Sequence, residues 1–160
     1  MKISTRGEYG LRALMEMGIE KGTSISLRDI AERQNVSLDY LEQIVPSLKV
    51  AGLIKAKRGA HGGYQLTRPP EEITLYDALI ALEGSLDPKE CLDDDVPEDE
   101  RCPASGSCAV QEVWIDMRDA MEFVLKKKTL AGLIERQKNT FKVPIHTSTD
   151  KEILRLVMFN

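Results

Sequence analysis

Ser26-Leu27-Arg28-Asp29-Ile30-Ala31, followed by Val36-Ser37-Leu38-Asp39-Tyr40-Leu41-Glu42-Gln43-Ile44-Val45-Pro46-Ser47-Leu48-Lys49, decides the architecture of this chain. A serine opens each half, and its hydroxyl can accept from the orphan N–H groups of a helical first turn. Asp29, three residues after Ser26, sits where a capping box places its carboxylate. Leu27, Ile30 and Ala31 then form the buried side of a short helix that ends near Asn35. Leu38, Leu41, Ile44, Val45 and Leu48 repeat at helical spacing through a longer one. Its other side offers Asp39, Tyr40, Glu42, Gln43 and Lys49. Pro46 removes one backbone bond and crowds the carbonyl of Glu42. The apolar spacing continues through it, so the pattern predicts one kinked helix, not two.

Working outward, Gly52 suits the stop of that helix. Leu53–Lys57 and Tyr64–Leu66 alternate like the strands of a hairpin. Between them, Arg58-Gly59-Ala60-His61-Gly62-Gly63 carries three glycines, which allow close approach to another molecule. Upstream, Thr5 to about Lys21 reads as a helix with Leu11, Leu14, Met15 and Ile19 on one face, stopped at Gly22. Helix, short helix, turn, helix, glycine-rich hairpin is the order of a winged helix-turn-helix, in which the helix after the turn enters the DNA major groove.

Further on, Thr74 opens a fourth helix with Leu75, Ala78, Leu79 and Leu82 inward and Gly84 at its stop. Ser85 to Ser107 is a long irregular segment, a length that usually signals function. Cys108 to Lys128 is the longest helical stretch. Val110, Trp114, Met117, Met121 and Val124 give it a heptad seam suited to pairing with another helix. Thr129 caps a short final helix with Leu130, Leu133 and Ile134 inward. The expected fold is mostly α with a small β-hairpin: a winged helix-turn-helix plus a long dimerisation helix. The expected division is 1–84 for DNA binding, 85–108 as a cysteine-bearing sensor loop, 109–138 for dimerisation, and 139–160 as a tail.

The formal net charge of −4 hides a division. Residues 1–70 hold 11 Lys/Arg and 7 Asp/Glu, residues 71–109 hold 2 and 12, and residues 110–160 hold 9 and 7. The basic first segment can face phosphate while the acids gather in the middle. On the third helix, Ser37, Asp39, Tyr40, Glu42 and Gln43 would meet base edges and phosphates. Gln43 can pair with adenine and Glu42 can accept from cytosine N4. Lys55, Lys57 and Arg58, with His61 at the tip, make the hairpin a thin cationic wing. Double-stranded operator DNA is the expected partner. No stretch is apolar enough for a membrane span and the N-terminus lacks a signal-peptide pattern, so the expected compartment is cytoplasmic. No phosphate loop, nucleophile elbow or H-E-x-x-H occurs, so no enzymatic activity is expected.

Several short runs together resemble one bacterial family. These are Lys2-Ile3-Ser4-Thr5-Arg6-Gly7, Leu41-Glu42-Gln43, Ala51-Gly52-Leu53, Arg58-Gly59, Gly62-Gly63-Tyr64, Arg68-Pro69-Pro70 and Glu72-Ile73-Thr74. The chain resembles, from Met1 to about Leu133, the winged-helix transcription regulators typified by IscR, with NsrR, RirA and CymR as relatives. The resemblance implies a homodimer held by the long helix, usually a repressor, with Glu42 and Arg58 among the DNA readers. It also implies an iron–sulfur cluster in the cysteine segment of many members, whose state sets DNA affinity; CymR-like members lack it and respond through a protein partner.

Cys91, Cys102 and Cys108 are the three thiols on offer, with ten and then five residues between them. Clusters usually take four ligands. The IscR-like pattern has spacings of five and five and then a histidine with two residues between it and the last cysteine, where this chain has Gln111. Glu8 is the candidate fourth ligand, as a carboxylate from a partner subunit, with His146 and His61 as alternatives. By analogy the cluster would be 2Fe–2S, with 4Fe–4S equally open to three cysteines and a carboxylate. Zinc is the second metal choice, although no C-x-x-C pair occurs. A metal-free thiol switch is the third reading.

Overall fold

The computed structural model describes residues 3–20, 22–59, 62–93, 96–97, 102–104 and 107–140. Its elements run α1 (Thr5–Ile19), α2 (Leu27–Gln34), α3 (Leu38–Val50), β1 (Ile54–Lys57), β2 (Gly63–Leu66), α4 (Leu75–Glu83), α5 (Ala109–Lys126) and α6 (Leu130–Thr140), with short 3-10 turns at Pro70–Glu72 and Glu90–Leu92. The mostly helical fold with one hairpin is the one expected from the sequence.

The caps are where the sequence places them. Ser26 accepts from Asp29 N at 3.1 Å and Ser37 from Tyr40 N at 3.4 Å. Thr74 and Asp77 form a complete capping box at α4. The helix-turn-helix turn is made by Asn35, whose φ of 51° and ψ of 51° are left-handed and end α2. Asparagine tolerates that region better than most residues. The helix α3 continues through Pro46 as one element.

The first helix is covered on more than the one face its periodicity indicates. All six residues from Ala13 to Gly18 are buried, because α2, α3, α4, α6 and β2 pack around it. Its glycines permit this. A Cβ at Gly10 would stand 2.3 Å from Leu82 Cδ2, and one at Gly18 would stand 2.6 Å from Ile134 Cδ1. At the N-terminus of α1, Ser4 donates through N and Oγ to Glu83 Oε1, at 3.1 and 2.9 Å. A carboxylate is favoured at that end of a helix dipole. Leu14, Ile30, Leu41, Ile44, Leu48, Leu53 and Ile73 form the centre of a single core, which Leu130 and Ile134 of α6 complete.

The hairpin pairs antiparallel, with Ile54 opposite Leu66 and Lys57 opposite Gly63. Ile25 joins it by a two-bond bridge to Tyr64, at 3.0 and 2.8 Å. Gly63 is required there, since a Cβ would lie 2.3 Å from the Ile25 carbonyl oxygen. A second bridge pairs Thr74 with Thr129. Leu75 N donates to Lys128 O at 2.8 Å and Leu130 N to Ile73 O at 2.9 Å.

Candidate nucleic-acid interface and cysteine cavity

The orientation of α3 follows from its composition. Leu41, Ile44, Val45 and Leu48 are buried, so the opposite side faces outward. Asp39, Glu42 and Gln43 are exposed there, as are Pro46, Lys49 and Val50 further along. The helix stands between two grooves. The one towards the hairpin, about 410 Å³, is lined by Leu27, Glu42, Val45, Pro46, Lys49, Val50 and Tyr64. The one towards α1 and the turn, about 380 Å³, includes Asn35, Ser37, Asp39, Tyr40 and Gln43. A helix standing proud between two clefts has the shape required to enter a major groove about 12 Å wide.

The candidate residues differ in how free they are. Ser37 spends its acceptor on the cap of α3. Tyr40 is half-buried, its ring edge-on to Tyr9 with centroids 5.7 Å apart. It therefore helps to hold α3 against α1 as well as bordering the outer groove. Lys55, Lys57 and Arg58 are all exposed on the hairpin. His61 lies outside the described residues. Pro46 and Val50 of α3, and Leu27 and Tyr64 beside it, border this face although the sequence reading did not mark them as interface residues. The signal for the first two was available in their spacing from Asp39 and Gln43; the approach of Leu27 and Tyr64 depends on the Ile25 bridge and is tertiary.

A buried ionic group fixes the helix-turn-helix to α1. Glu16 is only 6 % exposed. Gln34 Nε2 donates to it at 2.6 Å and Arg33 Nη1 at 3.1 Å. Arg33 also reaches Glu20 at 2.7 Å. The hydrogen bond that Arg33 donates to Glu20, then the one it donates to Glu16, raises the pKa of the guanidinium above its ordinary value.

The three cysteines are brought together to line one cavity of about 660 Å³, beside Gln111 and Trp114 at the start of α5. All three are free thiols; Cys102 is exposed and the other two are half-buried. Gln111 Nε2 donates to the Cys91 carbonyl at 3.3 Å, and Gln111 N to the Cys108 carbonyl at 2.9 Å. Thus the residue at the histidine position of the IscR-like pattern braces the backbone of two cysteines. Glu8 is not among the residues lining the cavity; on the surface of α1 it pairs with Arg12 at 2.5 Å. Among the described residues, no three of His, Cys, Asp and Glu are arranged to hold a metal ion. The donor chemistry suits a thiophilic group, but the described ligand set is incomplete for one.

The cysteine segment docks on α5 through Asp87, 3.8 Å from Arg118. A hydrogen bond to Asp119, at 3.2 Å, with Asp87 adding to it, raises the Arg118 guanidinium. Tyr76 of α4 donates to Glu122 of α5 at 3.3 Å. Burial first, then the Glu122 charge, raises that phenol. These inward contacts use Gln111, Arg118 and Glu122 and so fix the rotation of α5. Its exposed apolar ridge is Val110, Val113 and Met117, each about half exposed. Val110 and Met117 belong to the heptad seam read from the sequence; Trp114 is less exposed, lining the cysteine cavity together with Val110, and Val113 is exposed beside it. Among the described residues no helix is long and apolar enough to cross a membrane.

Comparison with known proteins fits this geometry. A family model described as Rrf2, iron-dependent transcriptional regulator, matches residues 3–136. The HTH-type transcriptional regulator CymR of Bacillus subtilis is 43 % identical over 134 residues, covering 83 % of this chain and 89 % of that protein. The structure of CymR, the global cysteine regulator of B. subtilis, superposes with a TM-score of 0.69 at 42 % identity, covering 85 % of this chain and 98 % of that one. That of T. potens IscR superposes with a TM-score of 0.70 at 34 % identity, covering 90 % and 93 %. The chain therefore belongs to the Rrf2 family of DNA-binding transcriptional regulators.

Proposed function

We propose that this regulator is a homodimer whose α3 reads a two-fold operator in the major groove, and whose cysteine cavity tunes DNA affinity by thiol chemistry or a protein partner, without a resident metal. The carrying observation for DNA reading is the outward face of α3 between its two grooves, flanked by the Lys55, Lys57 and Arg58 hairpin. Two observations support a metal-free sensor. The identity to the CymR structure, 42 %, exceeds the 34 % to the T. potens IscR structure. Gln111 stands where the IscR-like pattern has histidine. The dimer reading rests on the α5 ridge. A second reading, an iron–sulfur cluster, is favoured by the convergence of all three cysteines on one cavity.

The test is a single preparation purified without oxygen. Its visible spectrum, iron and acid-labile sulfide are measured, then its DNA affinity with and without a thiol oxidant. The metal-free reading expects a colourless protein whose affinity shifts on oxidation, with the shift absent in Cys91→Ser. A brown protein with stoichiometric iron and sulfide would transfer the conclusion to the cluster. The DNA reading is tested separately: affinity should fall steeply with salt, and Arg58→Ala should flatten the slope by about one ion.

A further inference from the structure

The outward stripe of α3 changes character along its length. Asp39, Gln43, Pro46 and Val50 follow one another at helical spacing, and Val50 is 91 % exposed, the highest of the exposed large apolar side chains among the described residues. Pro46 and Val50 also wall the groove beside the hairpin, with Leu27 and Tyr64 opposite them. Asp39 and Glu42 on this helix side repel phosphate while Lys49, beside Val50, can anchor it, which leaves Pro46 and Val50 to meet base edges. The thymine C5-methyl is the apolar group on the major-groove edge of a base pair. We propose that Pro46 and Val50 are specificity residues that select thymine by packing on its C5-methyl. The inference rests on α3 being the recognition helix, and continuity of the stripe with Gln43 supplies the occupant. From Gln43 to Val50 is about 10 Å along the helix axis, the rise of about three base pairs. The selected thymine therefore falls within about three base pairs of the base that Gln43 reads.

The experiment first selects a binding duplex from a randomised pool with the full-length protein. Each thymine is then replaced singly by deoxyuridine, which keeps the O4 acceptor and the pairing and removes only the methyl. Burying one methyl is worth about fourfold in affinity. One or two positions per half-site should weaken by about that factor, and the effect should vanish in Val50→Ala or Pro46→Ala. Both sites are exposed and alanine favours a helix, so both variants should fold. Uracil tolerated at every position, with the salt slope and the Arg58→Ala loss intact, would overturn the methyl contact and leave the DNA reading standing. Uracil sensitivity that persists in both variants would overturn it as well. Failure to select any duplex, with no salt-dependent binding, would remove the recognition-helix reading and this inference with it.

Discussion

Gly10 occupies the crossing of α1 and α4, where a methyl group would stand 2.3 Å from Leu82 Cδ2. Gly10→Ala should lower stability by about 1–3 kcal/mol, the usual cost of overpacking a core. The sign is informative, since alanine is the better helix former by about 1 kcal/mol. A urea titration checks it, and a gain in stability would mean that the crossing relaxes freely. The same crossing shows what single residues conceal. Gly10 and Leu82 lie 72 positions apart, and Gly18 and Ile134 lie 116 apart, so no local pattern announces either contact. Glu16 is similar: in the sequence it is one more acid on a helix, while in the structure it is buried beneath Gln34 and Arg33. Tyr40 was legible as an outward residue but not as the partner of Tyr9, because a ring's second contact depends on where α1 crosses α3.

At the level of elements, local rules carried much further. Ser26, Ser37 and Thr74 each cap the helix that their side chains announce, since a cap needs only the three residues that follow it. The turn between α2 and α3 was expected near Asn35, and its left-handed backbone explains the choice of residue. Asn35→Val should cost roughly 1–2 kcal/mol, the price of that region for an ordinary L-residue, whereas Asn35→Gly should remain within a few tenths of wild type. Thermal melts of the two variants provide the check; equal melting temperatures would show that the turn can re-form without a left-handed residue. The rotation of α5 was less legible. Heptad spacing names a stripe, but Val113 and Trp114 are neighbours 100° apart, and only the contacts of Gln111, Arg118 and Glu122 decide which of them faces out.

For the molecule as a whole, the exposed ridge of Val110, Val113 and Met117 sets the next question. Met117→Glu places a charge on it while touching none of the core. If the ridge joins two copies, the variant should sediment as a monomer and lose at least tenfold in operator affinity, because each half-site then binds alone. Wild-type sedimentation with unchanged affinity would place the dimer contact elsewhere. The fold class was readable from the order of helices and hairpin, yet the association of α6 with α1 was not, since Leu130, Leu133 and Ile134 announce an inward face but not which core it enters.

The Thr74–Thr129 bridge has a consequence for how this molecule can change. The chain leaves the winged helix-turn-helix after α4, passes through the cysteine segment and α5, and is then stitched back at Thr74, at the start of α4. The covalent path between Gly84 and Cys108 is thus not what keeps α5 on the head. A protease cut there would yield two fragments that travel together in a native gel and part only in denaturant. By the same logic, the segment between α4 and α5 can be lengthened, shortened or rewritten while α5 stays assembled on the rest of the fold.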